Sequence, residues 1–252
     1  MASHFKTIGL IGKANHEATD KTVKALHAFL LRQECKIIVE ENVANYIDDQ
    51  QVQTKDLVEL GKLCDLAIVV GGDGNMLGAA RVLSRFDVAV IGVNRGNLGF
   101  LADLDPDDFA DTLQQVLEGK YHTEMRYLLD VSVIRHQVVK ANNSAMNEVV
   151  LHADKVAHMI EFEAFIDGSF VFHQRSDGLI ISTPTGSTAY SLSGGGPIVH
   201  PSLDAMTLVP MFPHTLTSRP LVIDANCEVR LVVSKANDAQ LQISCDRHIM
   251  LS

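Results

Sequence analysis

Residues 66–81 read Leu-Ala-Ile-Val-Val-Gly-Gly-Asp-Gly-Asn-Met-Leu-Gly-Ala-Ala-Arg, and this stretch decides the fold class. Leu66 to Val70 is wholly apolar, as expected of a strand buried on both faces of a parallel sheet. From Asn75 to Arg85, Ala, Leu, Met and Arg dominate, and these favour helix. Between them, Gly71, Gly72 and Gly74 let the backbone approach an anion closely at a helix N-terminus. Asp73 is the unusual member. A carboxylate beside a phosphate repels it unless a metal intervenes or a hydroxyl must be deprotonated, so the turn points to phosphoryl transfer rather than nucleotide storage.

Working outward, the same alternation recurs on both sides. Thr7 to Gly12 is a short strand ending in Gly-Lys, and Thr19 to Arg32 carries Val23, Leu26, Phe29 and Leu30 at helical spacing. Lys36 to Val39 is a second strand, and Thr54 to Leu63 a second helix capped by Thr54. Val88 to Val93 is a fourth strand, ending in the Gly-rich turn Asn94 to Phe100. Asp105-Pro106 then opens a helix through Val116. Strands alternating with helices imply a doubly wound parallel sheet, with ligands at the carboxyl ends of the strands. Both Gly-rich turns occupy such ends.

Past Lys120 the grammar changes. Short β-like runs, among them Tyr127–Arg135, Ala145–Leu151, His158–Ile166 and Leu179–Ser182, follow one another with almost no helix between them. Asp167-Gly168 signals a tight hairpin and Ser176-Asp177-Gly178 a second turn. An α/β nucleotide-binding domain over residues 1–122 followed by an all-β antiparallel sandwich over 123–252 is the expected architecture.

Composition narrows the function classes. The chain of 252 residues is 46% hydrophobic with a net charge of −10, so a broad nucleic-acid or anionic-membrane surface is not expected. Any bound phosphate must be met locally. Cys35, Cys64, Cys227 and Cys245 show no CxxC spacing and read as reduced thiols. No signal peptide or membrane-spanning apolar run is visible, so a cytoplasmic location is expected. The 11 histidines show neither HxxxH nor HExxH spacing and are not expected to ligate metal. A P-loop motif and the protein-kinase signature set are both missing.

Two features of the second half carry chemistry. Asn147-Glu148 sits inside an otherwise apolar run, where neighbouring residues face opposite sides of a strand. At least one then faces the interior or a ligand, unless both are solvated on an edge strand. The segment from Thr183 to Pro197 is rich in hydroxyls and glycine, directly after a strand. It can offer hydroxyls and amides to ribose or amide groups, with Tyr190 for stacking.

Taken together, Gly71-Gly-Asp-Gly74, Asn94-x-Gly-x-Leu-Gly-Phe100, Asn147-Glu148, Ser176-Asp-Gly178 and Thr183-Pro-Thr-Gly-Ser-Thr-Ala-Tyr190 with Ser193 closely resemble the NAD kinase family in its proteobacterial type. The resemblance covers nearly the whole chain, whereas Gly-Gly-Asp-Gly alone also admits phosphofructokinases and diacylglycerol- or sphingosine-type lipid kinases. It implies a cleft between two domains in which the γ-phosphoryl of ATP, with Mg²⁺ or another divalent cation, passes to the 2′-hydroxyl of NAD's adenosine ribose. Asp73 would activate that hydroxyl, bind a hydroxyl of NAD or hold Mg²⁺, and no other metal ligand is assigned. Gly72, Gly74 and Asn75 would cradle phosphates. Asp73, Gly74, Phe100, Asn147, Glu148, Arg175, Asp177, Thr185, Thr188, Ala189, Tyr190 and Ser193 would form the NAD-binding set. The resemblance further implies a dimer or tetramer in which Asp177 serves a neighbour's site, and further residues after the equivalent of Leu251. A lipid kinase and a non-catalytic nucleotide sensor are the alternatives. Formation of product from NAD and ATP separates all three.

Overall fold

The computed structural model describes residues 4–252 apart from 48, 50, 96–100, 102, 155–157, 216, 238–240, 248 and 252, with backbone alone for 249–251. These residues form two compact units that meet in the sequence at Thr123 and Glu124.

The first unit is built on β1 (Thr7–Gly12), β2 (Lys36–Glu40), β3 (Gln53–Lys55), β4 (Leu66–Gly71) and β5 (Ala89–Asn94), all parallel, in the order β3-β2-β1-β4-β5. Its helices are α1 (Glu17–Arg32), α2 (Leu57–Leu63), α3 (Asp73–Leu83) and α4 (Ala110–Leu117). Every residue of β4 is buried, because the sheet is covered on both sides. Ile8, Leu10, Ile68 and Val70 pack against Val23, Leu26 and Leu30 of α1 and Leu113 of α4. On the other face, Ile11, Ile38, Ala67 and Val69 meet Leu60 of α2 and Met76, Ala79 and Leu83 of α3. Strand order reverses direction between β1 and β4, which is where an open α/β sheet leaves a ligand crevice. Gly12 pairs with Val70, and Gly71 with Asn94, so the turn after β4 opens at that switch point.

Two local expectations are corrected here. Thr54 does not cap a helix. Gln53–Lys55 is an edge strand registered on Ile38–Glu40, and α2 starts after Asp56, whose Oδ1 accepts from Glu59 N at 2.8 Å. Nor does Asp105-Pro106 open a helix. The Asp105 carboxylate accepts from Asp107 N at 2.8 Å, a local bond that competes with helix, and α4 begins only at Ala110.

The second unit contains β6 (Leu129–Arg135), β7 (Val138–Ala145), β8 (Glu148–Ala153), β9 (Ile160–Ile166), β10 (Ser169–Ser176), β11 (Gly178–Ser182), β12 (Ala205–Met211), β13 (Leu221–Asp224), β14 (Val229–Val233), β15 (Leu241–Cys245), β16 (Ile249–Leu251) and the one-turn helix α5 (Tyr190–Ser193). An antiparallel sheet of order β13-β12-β11-β8-β15-β16 faces a second of order β10-β9-β14, while β6 and β7 form a hairpin. Leu151, Leu179 and Leu208 from the larger sheet pack against Ile160, Phe162 and Phe172 of the smaller, and this is the core of the sandwich. Asp167 and Gly168 have φ of +48° and +78°, the pair of positive values that a two-residue type I′ hairpin requires.

The expected turn at 176–178 is not a hairpin. Asp177 carries the chain from the three-stranded sheet into the six-stranded one, since β10 pairs with β9 while β11 pairs with β8 and β12. The expected strand Ala145–Leu151 is also interrupted: β7 ends at Ala145 and β8 begins at Glu148. Strand β7 has no counterpart in the sequence reading, because Lys140, Asn142 and Asn143 remove any apolar alternation from a largely exposed arm.

Phe162 is 1% exposed and stands at the centre of the sandwich. Phe162→Ala is expected to cost about 3–5 kcal/mol, read as a lowered urea midpoint of the intact chain.

Candidate functional site

The glycine turn of the first unit is one candidate site. Gly71 has φ +156°, and a Cβ there would lie 2.8 Å from Asn75 Nδ2. Gly72 is the N-cap of α3 and brings no capping side chain. Its carbonyl accepts from Asn75 N at 3.0 Å and Met76 N at 3.3 Å. The first N–H groups of a helix have no intrahelical partner, and the dipole adds partial positive charge there. With no side chain in the cap position, those donors suit an anion. Asp73, half-buried, is the first residue of α3, and Gly74 beside it is exposed. Arg95 N donates to Gly71 O at 3.0 Å, fastening the end of β5 to the turn. The Arg95 guanidinium is engaged by Thr22 Oγ1 at 2.6 Å and Asp107 at 2.8 Å. Phe100 lies outside the described residues.

The candidate site of the second unit depends on an acid that the sequence did not single out. Asp246, 3% exposed, accepts from Met146 N and Asn147 N at 2.8 Å each and from Glu148 N at 3.2 Å. Its own N–H donates to Glu148 O at 3.0 Å. This bonding breaks the strand at 146–147. The loop after β11 is fastened to the same break: Thr183 N donates to Asn147 O at 2.9 Å and Thr183 Oγ1 to Met146 O at 2.6 Å. Gly186 fits beneath because a Cβ would fall 2.2 Å from Asn147 O. Thr185 to Thr188 form one 3₁₀ turn, and α5 follows from Tyr190. Arg126 Nη1 donates to Thr185 Oγ1 at 2.9 Å.

Glu148 is not on an edge strand. It lies in β8 between β11 and β15 and is 1% exposed. Burial first, then the Asp246 charge, pushes its pKa up to about 7, against the pull of Arg247 and of the Tyr190 backbone N–H. Among the described residues its Oε2 has no hydrogen-bond partner. Asn147, Glu148, Thr185, Thr188, Ala189, Tyr190 and Ser193 thus gather around one loop. Asn147, Thr188, Ala189 and Tyr190 are half-buried and Ser193 is exposed.

Arg175 and Asp177 do not join them. Ser182 pairs with Glu148, but Gly178 pairs with His152 at the other end of β11. The five residues of β11 separate Asp177 from Thr183, six steps or about 20 Å at 3.3 Å per residue. Cys35, Cys64, Cys227 and Cys245 are not joined in disulfides, and burial pushes the Cys64 thiol up to about 12. Among the described residues no group of three or more His, Cys, Asp or Glu could hold a metal ion.

Comparison with known proteins gives consistent matches. Residues 8–121 match the ATP-NAD kinase N-terminal domain and residues 146–252 the ATP-NAD kinase C-terminal domain. The NAD kinase of Pseudoalteromonas translucida is 64% identical over 253 residues, covering 100% of this chain and 86% of the relative. That of Colwellia psychrerythraea is 59% identical with the same coverage. Among solved structures, yeast NADH kinase complexed with NADH superposes with a TM-score of 0.86 at 26% identity, over 98% of this chain and 76% of that one. An NAD kinase from Archaeoglobus fulgidus in complex with ATP gives 0.75 at 25% identity, over 98% and 86%.

The state of Glu148 gives a pH prediction. Its folded pKa lies above the ordinary carboxylate value, so the native state holds the proton longer than the unfolded chain. Stability falls as pH rises from about 4.5 through 7. Glu148→Gln stays uncharged and should melt higher than the parent at pH 8, by about 1–3 kcal/mol in stability, with the gap closing below pH ~5. Thermal melts across that range test it; a constant offset at every pH would contradict it.

Proposed function

The chain belongs to the ATP-NAD kinase family, and from that premise we propose how its residues divide the reaction, transfer of the γ-phosphoryl of ATP to the 2′-hydroxyl of NAD's adenosine ribose. It acts as an NAD kinase. A lipid kinase or a nucleotide sensor, both compatible with Gly-Gly-Asp-Gly alone, is set aside by high identity to NAD kinases over the whole of this chain. The observation that carries the division of roles is the capless N-terminus of α3, with an acid as its first residue.

Phosphoryl transfer demands alignment and charge neutralisation more than covalent chemistry. The amides of Gly72 and Gly74, with Asn75, hold the phosphates of ATP. Asp73 accepts the proton of the 2′-hydroxyl as the bond from that oxygen to the γ-phosphorus forms and the bond to the departing ADP breaks. Asp73 is also the residue that would hold Mg²⁺. Mg²⁺ is commonly bound through one or two carboxylates plus substrate phosphates, which suits a turn with a single acid. When bound, the ion would neutralise charge on the transferring phosphoryl. Asn147, Glu148, Thr185, Thr188, Ala189, Tyr190 and Ser193 bind NAD, with Phe100 and Gly74 as further contacts. Four free thiols fit a reducing, cytoplasmic setting.

The distance along β11 supports a homo-oligomer, a dimer or a tetramer built from dimers. Arg175 and Asp177 then complete the dinucleotide site of a neighbouring copy through an isologous contact.

Asp73→Asn keeps the shape and removes the charge, so NADP formation from NAD and ATP should fall at least ~10²-fold with an unchanged melting temperature. Near-normal turnover would end the catalytic assignment. Co-assembling Asp73→Asn with Asp177→Ala should restore part of the activity lost by each, because some mixed sites carry neither lesion. A turning-over monomer in light scattering would refute the shared site.

A further inference from the structure

Arg247 has no part in the roles assigned above, yet it is held where a ligand would meet it. It follows Asp246 in the turn leaving β15, and Asp246 is fixed by the amides of Met146, Asn147 and Glu148. Both turn residues are left-handed, with φ of +48° at Asp246 and +63° at Arg247. An acid tolerates that region, but a long side chain without a local hydrogen-bonding group is strained there, and glycine is the unstrained choice. The Arg247 guanidinium stands 5.3 Å from the centroid of the Tyr190 ring. Its charge also reaches the Glu148 carboxyl. A cation over a half-buried aromatic is only modestly held, so this contact alone does not account for an arginine in a strained position.

What the arrangement matches is a nucleotide. Tyr190 offers a flat face to a base, Asn147 and Glu148 offer polar groups to ribose hydroxyls, and Arg247 stands over Tyr190 with its charge felt at Glu148. In a chain of net charge −10, a dinucleotide's phosphates need a local cation, and guanidinium grips phosphate with two parallel N–H donors. We propose that Arg247 binds the pyrophosphate of the dinucleotide, leaving the Tyr190 ring face to the base that stacks there. This rests on the assignment of Asn147 to Ser193 as the NAD-binding set.

Direct titration of the full chain with NAD and with adenosine, which carries no phosphate, tests the assignment. Arg247→Gln should weaken NAD binding at least ~10-fold and leave adenosine within ~2-fold, with Arg247→Lys intermediate. The salt dependence of NAD binding should be shallower in Arg247→Gln than in the parent. Arg247→Gly, which relieves the left-handed strain, should melt no lower than the parent and still lose NAD affinity, so the result holds even if the glutamine variant folds poorly. Equal loss of NAD and adenosine would make Arg247 a structural support for Tyr190 and overturn the proposal, as would unchanged NAD affinity. Asn147→Ala is the control: if it weakens NAD while Arg247→Gln does not, only the phosphate assignment fails. If neither changes NAD binding, the NAD-site assignment fails and the proposal with it.

Discussion

The Asp246 carboxylate is the contact on which the β unit's site depends. It takes three consecutive amides, from Met146, Asn147 and Glu148, and hydrogen bonds to a charged acceptor are worth about 1.5–3 kcal/mol each. That is enough to break a strand that would otherwise continue from β7 into β8. Once the strand breaks, the Asn147 carbonyl is open to Thr183 N and Ser182 Oγ, and the Met146 carbonyl to Thr183 Oγ1. The hydroxyl-rich loop is therefore not flexible. Ser187 closes it further, donating to Pro184 O at 2.6 Å and accepting from Val199 N at 3.0 Å.

The same contact has an electrostatic consequence. Burial of Glu148 comes first, and the carboxylate of Asp246 beside it further disfavours its ionised form. Glu148 therefore retains a proton up to about pH 7, the range in which a carboxyl can either donate or accept a hydrogen bond. A dinucleotide ribose needs both, since its hydroxyls are donors and acceptors at once.

The α/β unit solves a different problem. ATP carries several negative charges and the chain is acidic overall, so attraction has to be local. In the division of roles proposed above, the turn at Gly71 and Gly72 supplies this attraction from the backbone. The strand ends at the switch point of the sheet, and the helix begins without a side-chain cap. Asp73 at the first helical position is stabilised by the dipole.

Sequence alone determined the doubly wound sheet, the antiparallel sandwich, the glycine turn with its acid and the hydroxyl-rich loop. Each rests on interactions between near neighbours: apolar runs of strand length, helical spacing, and glycine where the backbone must turn or approach closely. What only the tertiary structure decided rests on contacts between distant residues. Asp246 lies 100 residues from Met146, and nothing in the local pattern of either stretch announces the other. The shift of α2 to an Asp56 cap came from the register of Gln53–Lys55 on β2, and the polar strand β7 had no periodicity to reveal it. The separation of Asp177 from the loop at Thr183 follows from the course of β11, whose two ends register on His152 and Glu148 at opposite ends of β8. A strand's composition fixes which faces it buries, but its partners fix where its ends arrive, and partners are chosen by packing across the whole chain.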